Sequence, residues 1–245
     1  MAVDEALLEA AATEGRPTLR FYRWEEPTLS LGYFQEYEDR RLHRPSAGCP
    51  TVRRASGGGA IVHDRELTYS LALPDRHPLA ADRLRTYRII HESLIETLAT
   101  WGIQATLYTC MMAAEDRAGA DLHANTKSDR QPFLCFQRRA LGDVLTGGVK
   151  VAGSAQRRRR GAVLQHGSVL LARSDSAPEI DGLKERTGRS IAADNLIQAW
   201  LERLTKALGV EWLNATLSGG ERHRAAALVS EKYASAAWTK NRGRI

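Results

Sequence analysis

Apolar and polar residues alternate along the chain in short strand-like runs framed by a few longer helical ones. Residues 2–12 are helix-forming, with Leu7 and Leu8 on one side. "LRFYRW" and "TLSLGYF" are β-prone runs separated by Pro27, which predicts two strands. "PTVRRASGGGAIVHD" reads as strand, glycine turn, strand, and "ELTYSLALP" as a further strand. Leu84, Tyr87, Ile90, Leu94, Ile95 and Leu98 recur at helical spacing across residues 81–101, and Gly102 ends that helix. "QATLYTC" predicts another strand, whereas residues 114–132 are polar and aperiodic and predict a long loop. "DVLTGGVKVAGSA" predicts a hairpin turning at Gly147-Gly148, because a glycine pair suits a tight primed turn. "AVLQHGSVLLA" is again strand-like, and "IAADNLIQAWLERLTKALG" and "GERHRAAALVSEKYASAAW" predict two amphipathic helices. Strands flanked by helices, with no internal repeat and no linker, predict an α+β fold. The expectation is one domain over residues 1–245, rich in mixed or antiparallel sheet.

Composition narrows the function classes. No window approaches the ~18 consecutive apolar residues of a membrane helix, so no membrane partner is expected. The opening "MAVDEALLEAAATEGRP" is acidic and lacks the basic, apolar, small-residue order of a signal peptide. Cys49, Cys110 and Cys135 are scattered without CxxC spacing, and an odd number cannot all pair within one chain. That pattern predicts a reducing, cytoplasmic location, with neither a disulfide framework nor a zinc site. Lys and Arg outnumber Asp and Glu by 35 to 29, a formal charge of +6, which favours an acidic partner. Nucleic acid is a poor candidate, since the basic residues are not interleaved with aromatics and no nucleic-acid motif fits.

The residues that carry chemistry are few. Gly57, Gly58 and Gly59 follow Arg53 and Arg54, but GxxxxGK[ST] is absent, and so is the GxGxxG spacing of a dinucleotide fold. The triplet therefore predicts close backbone approach to a ligand rather than a phosphate loop. "LSGGE" at 217–221 reads as a helix start. Cys135, in "QPFLCFQRRALGD", follows a polar stretch and Pro132, with Arg138 and Arg139 near in sequence and Lys150 within reach if the hairpin folds back. Positive charge favours the thiolate, the nucleophilic form. Against this stands the plain alternative of a small buried hydrophobe, the role assigned to Cys49 and Cys110. Lys150 could equally be an outward edge lysine, and His63 and His166 hydrogen-bonded structural histidines. The run "QRRRRG" at 156–161 is either a solvated turn or a docking patch for an acidic surface.

Taken in order, "DEALL", "PTLRFYRW", "PTLSLGYFQ", "RRASGGGAIVHDRELTYS", "KVAGSAQRR" and "LQHGSVLL" resemble the biotin/lipoate protein ligase catalytic domain, from about residue 2 to about 240. The GRGRxGR signature of its biotin branch is absent, and the chain looks like the octanoyltransferase and lipoate-ligase branch. "LCF" stands where ATP-dependent lipoate ligases carry an Asn-Asp pair, so the cysteine-dependent octanoyltransferases are the nearest match. The resemblance implies that Cys135 is the acyl-thioester nucleophile and that Lys150 stabilises its thiolate. It implies an octanoyl group taken from octanoyl-acyl carrier protein, a very acidic donor, and passed to a lysine of a lipoyl domain such as glycine-cleavage H protein, with no cofactor. Ser56, Gly57, Gly58 and Gly59 would line the acyl tunnel, where about seven methylenes at ~0.8 kcal/mol each are buried. Arg54 and His63 would polarise or orient the carbonyl end, with the His166-Gly167-Ser168 segment facing them and Gly153 and Ser154 also binding substrate. The alternatives that share these motifs are an ATP-dependent lipoate-protein ligase and an octanoyl amidotransferase between lipoyl domains.

Overall fold

The structure, a computed structural model, describes residues 1–123 and 131–243. In chain order its elements are α1 (Ala2–Glu14), β1 (Thr18–Tyr22), β2 (Thr28–Leu31), β3 (Thr51–Arg53), β4 (Ile61–His63) and β5 (Glu66–Leu73). Then come α2 (Pro78–Ala81), α3 (Arg83–Ala99), β6 (Thr106–Leu107), α4 (Cys110–His123), β7 (Val144–Thr146), β8 (Val149–Arg159) and β9 (Ala162–Leu170). The chain ends in α5 (Leu183–Thr187), α6 (Ala193–Leu208), α7 (Gly219–Leu228) and α8 (Ala236–Asn241). Six strands form one antiparallel sheet in the order β1-β5-β9-β8-β7-β6. A second sheet of three runs β3-β2-β4, parallel on one side of β2 and antiparallel on the other.

The period-2 alternation of the strands decides what each face of the large sheet meets. On β5, Leu67, Tyr69, Leu71 and Leu73 join the main core with Ile90, Leu94 and Leu98 of α3 and Leu196, Trp200 and Leu204 of α6. The intervening Glu66, Thr68 and Ser70 are also buried, but on the opposite face: Ser70 donates to Asp4 of α1, and Ala72 packs with Leu7, Leu8 and Ala11. Such double burial of a central strand requires a polar partner for every polar residue on it. Asp4 meets that demand, taking hydrogen bonds from Arg20, Tyr22 and Ser70.

The helix predicted at 81–101 starts at Arg83, where the Asp82 carboxylate caps the backbone N–H of Arg85 at 2.9 Å. "LSGGE" is a helix start, with Ser218 and Glu221 forming a reciprocal capping box. Three expectations change. Residues 110–123 form α4, so the predicted long loop begins with helix, and its positions 124–130 lie outside the described residues. The strand expected over 104–110 shrinks to Thr106–Leu107, because Cys110 already belongs to α4. The last predicted helix is two, α7 and α8, divided by a π turn at Val229–Tyr233 and a new cap at Ser235.

Candidate active site

The glycine triplet sits between β3 and β4, and its shape is held from below by Arg54. This side chain is 3 % exposed and spends its donors on backbone: Nη1 on the Ser30 carbonyl at 3.0 Å, Nε and Nη2 on Gly57 at 3.2 and 2.9 Å, and Nη2 on Gly59 at 2.6 Å. A guanidinium fork so committed shapes the loop. Burial pulls the Arg54 pKa down to about 10, partly offset by the interaction with Cys135, so it remains a cation at neutral pH. Gly58 has φ +97, a conformation that L side chains rarely adopt. At Gly59 a Cβ would lie 3.0 Å from the backbone N and Cα of Cys135, so the absent side chain is what lets the cysteine segment lie against the loop.

That segment is fixed by a parallel bridge. Ala60 N donates to Phe133 O at 3.0 Å, and Cys135 N donates to Ala60 O at 2.7 Å. Cys135 then opens a single 3-10 turn, Cys135–Gln137, with its thiol free and partly exposed. The sequence expectation of a strand-edge cysteine is close to this geometry. Lys150 reaches it from β8: Nζ lies 3.7 Å from Cys135 Sγ, 3.5 Å from Cys135 O and 2.8 Å from Asp143 Oδ2. Phe136 lies beneath the ammonium, 5.2 Å from ring centroid to Nζ.

How Lys150 comes to face the thiol follows from the hairpin. Gly147 and Gly148 have φ +55 and +76, the primed turn that the glycine pair predicted. Leu145 pairs with Lys150 but Val144 pairs with Ala152, leaving Val151 as an extra residue in β8. Val151 and Ala152 both enter the main core with Val144, and this bulge places Lys150 and Gly153 on the same side although they are three positions apart. A Cβ on Gly153 would lie 2.6 Å from Lys150 Cε and 2.9 Å from Asp143 Oδ1. The glycine is the space in which the ion pair sits.

Cys135, Lys150 and Gly153 border one cavity, which Tyr22, Met1 and His166 also line. Of the residues expected here, Arg54, Gly57, His63, Gly153, Ser154, His166 and Gly167 all reach the cavity. Ser56 stands behind it, its Oγ bonded to His166 Nε2 at 2.5 Å. Desolvation holds His166 down at about 4, against a smaller upward pull from Asp4, so the ring is neutral at pH 7. His63 stacks on Trp24 at 4.2 Å and bonds Glu66 through Nδ1 at 2.5 Å. Its Nε2 is buried and has no partner among the described residues. The Ser154 hydroxyl bonds Tyr69 and His91 at 2.6 Å each.

Asp143, Trp24, Tyr22 and Glu66 belong to the site and escaped the sequence reading. For Asp143 a signal existed: it is the acidic residue that opens an apolar strand on the far arm of the Lys150 hairpin. The arginine run reads differently in three dimensions. Only Arg160 and Gly161 form the exposed turn, while the last residues of β8 before it clamp three separate segments. Arg157 donates to Ala55 O, Arg158 to Ala80 O, and Arg159 pairs with Glu9 at 2.7 Å and Glu5 at 3.2 Å. Arg160, at φ +48, forms the turn into β9 with Gly161. No group of His, Cys, Asp and Glu among the described residues could hold a metal ion, and no described helix is long and apolar enough to cross a membrane.

The family model of the lipoyl protein ligase A/B catalytic domain matches residues 1–201. Octanoyltransferase LipM of Macrococcus caseolyticus is 33% identical over 269 residues, covering 99% of this chain and 94% of that protein. LipM of Bacillus anthracis is 32% identical over 265 residues, covering 97% and 92%. The fold matches a bipartite lipoate protein ligase from Thermoplasma acidophilum at a TM-score of 0.72, with 21% identity, covering 100% of this chain and 91% of that one. The chain belongs to the lipoyl protein ligase A/B catalytic-domain family. Within it the chain stands on the octanoyltransferase branch, and the enzyme is an acyltransferase of protein lipoylation.

Proposed function

We propose that the enzyme takes an octanoyl group from octanoyl-acyl carrier protein, holds it as a thioester on Cys135, and passes it to a lysine of a lipoyl domain such as glycine-cleavage H protein. The observation that carries this reading is the partly exposed Cys135 with a buried ammonium 3.7 Å from its sulfur, both bordering one cavity. An ammonium so placed favours the thiolate. The thiolate attacks the acyl carbon of the donor, a carbon–sulfur bond forms, and the carrier's phosphopantetheine thiolate leaves. One thioester replaces another, so the step is near balance and needs no ATP. In the second half-reaction the neutral amine of the acceptor lysine attacks the same carbon. The amide forms, the Cys135 sulfur departs, and the amine's proton goes with it; thioester to amide runs downhill. The protein's net charge of +6 suits an acidic carrier.

The test is intact-protein mass spectrometry after mixing with octanoyl-acyl carrier protein in the absence of ATP. Wild type is expected to gain one hydroxylamine-labile octanoyl group, and Cys135→Ala none. Acylation of a lipoyl domain by Cys135→Ala from free acid and ATP would instead make the chain a ligase and the cysteine incidental.

A further inference from the structure

Asp143 is 1 % exposed, and its carboxylate is saturated. Oδ2 pairs with Lys150 Nζ at 2.8 Å and accepts from Ala140 N at 2.7 Å, while Oδ1 accepts from the Tyr87 hydroxyl at 2.9 Å. Tyr87 is fixed in turn, because Ser154 N donates to its oxygen at 3.1 Å. Around Lys150 the remaining groups are the Cys135 thiol, the Phe136 ring, His91 of α3 and, beyond the thiol, the Arg54 guanidinium. Burial brings His91 down to about 4, so it is neutral, and Arg54 is a cation. Among the described residues Asp143 is therefore the one carboxylate paired with Lys150.

We infer that Asp143 is a positioning residue for acyl transfer: it holds the Lys150 ammonium against the Cys135 sulfur and keeps it charged through both half-reactions. This rests on the thioester reading above and adds a division of labour to it. A lysine 5 % exposed, without its carboxylate, would shed its proton to escape the cost of a buried charge. The neutral amine that remained would no longer favour the thiolate. Held by Asp143, Lys150 neither takes the thiol proton nor gives one up. The thiol proton goes to solvent before attack, and the proton released on amide formation goes to the departing sulfur. The geometry fits this role, since two of the ammonium's three donors lie toward Cys135 and the third is spent on Asp143.

The experiment is the pH profile of iodoacetamide alkylation at Cys135, resolved from Cys49 and Cys110 by peptide mass spectrometry. It is run on wild type, Asp143→Asn and Tyr87→Phe, beside octanoyl-adduct formation by the same proteins. Asp143→Asn is expected to move the alkylation midpoint upward by at least about one pH unit, a roughly tenfold fall in rate at pH 7 that recovers at higher pH. Adduct formation falls in parallel with the donor KM unchanged. Tyr87→Phe removes one of the carboxylate's donors and moves the midpoint the same way by less, and it answers the question if Asp143→Asn does not fold. A midpoint that stays put or moves down in a folded variant overturns the inference, since a merely structural aspartate would change the melt and not the profile. Alkylation does not depend on the donor. Wild type that forms no adduct while its alkylation still responds to Asp143 would sink the transfer reading and leave the Asp143 role standing.

Discussion

Adding one methyl group at position 153 isolates the fit around the lysine head. A Cβ there would lie 2.6 Å from Lys150 Cε and 2.9 Å from Nζ, where non-bonded carbons sit at about 3.5–4.0 Å, so the head must retreat by about 1 Å. The atoms that yield are the far end of a flexible side chain, which puts the stability cost of Gly153→Ala near the low end of overpacking, about 1 kcal/mol. Activity has no such relief. Retreat lengthens the 3.7 Å contact with Cys135 and disturbs the 2.8 Å pair with Asp143 together, and a misplacement of about 1 Å at reacting groups can cost on the order of 10²-fold. The expected outcome is a variant whose urea midpoint barely moves and whose single-turnover octanoyl-adduct rate falls by about two orders of magnitude. A folded Gly153→Ala that forms the adduct at the wild-type rate would refute the claim that this glycine makes room for the ion pair.

Two further outcomes follow from the supporting groups. Arg54→Lys exchanges a fork for a single ammonium and abandons at least two charge-assisted bonds to loop carbonyls, so it should lose roughly 3 kcal/mol or more in denaturant unfolding; a loss under about 1 kcal/mol would show the loop is held by other means. His91, 1 % exposed, has its folded pKa depressed from 6.5 to about 4 by burial. The unfolded chain therefore binds its proton first, and stability present above pH 6.5 drains away as pH falls toward 4, by roughly 3 kcal/mol from this group. Unfolding free energies measured at intervals from pH 7 to 4.5 should show a shallower decline in His91→Gln; equal slopes in the two proteins would remove His91 as the cause.

The hairpin and its glycine turn were legible because the local sequence contains the whole signal: two β-prone arms and the one residue type that tolerates positive φ twice in succession. Helix α4 was not, because "CMMAAEDRAGADLH" lacks an apolar stripe although Ala, Met, Glu and Leu are good helix formers. The cysteine is a different case. From charge and context alone a buried hydrophobe remained open, and only the ordered motifs of the family singled out Cys135. Its contact with Gly59 and its bridge to Ala60 join residues about 75 positions apart, which no local pattern encodes.

The arginines and Lys150 show how one inserted residue redistributes function along a strand. From Ala152 to Arg159, β8 keeps strict register with β9, so Gly153 and Ala155 lie over Ser168 and His166 while Ser154 points into the polar chain beneath the sheet. In that chain each hydroxyl donates once: Gln165 to Tyr69, Tyr69 to Ser154, Ser154 to neutral His91, and His91 Nδ1 to Gly142 O. A protonated His91 would reverse the order and leave two donors facing each other. Lys150 sits on the other side of Val151, where an unbroken alternation would have set Ala152 beneath it and sent Gly153 to the core side. With the extra residue the lysine keeps the cavity face, the glycine on that same face supplies its space, and Asp143 arrives at bonding distance from the position just before β7. The bulge, more than any single side chain in the motif, is what turns an edge lysine into the thiol's neighbour.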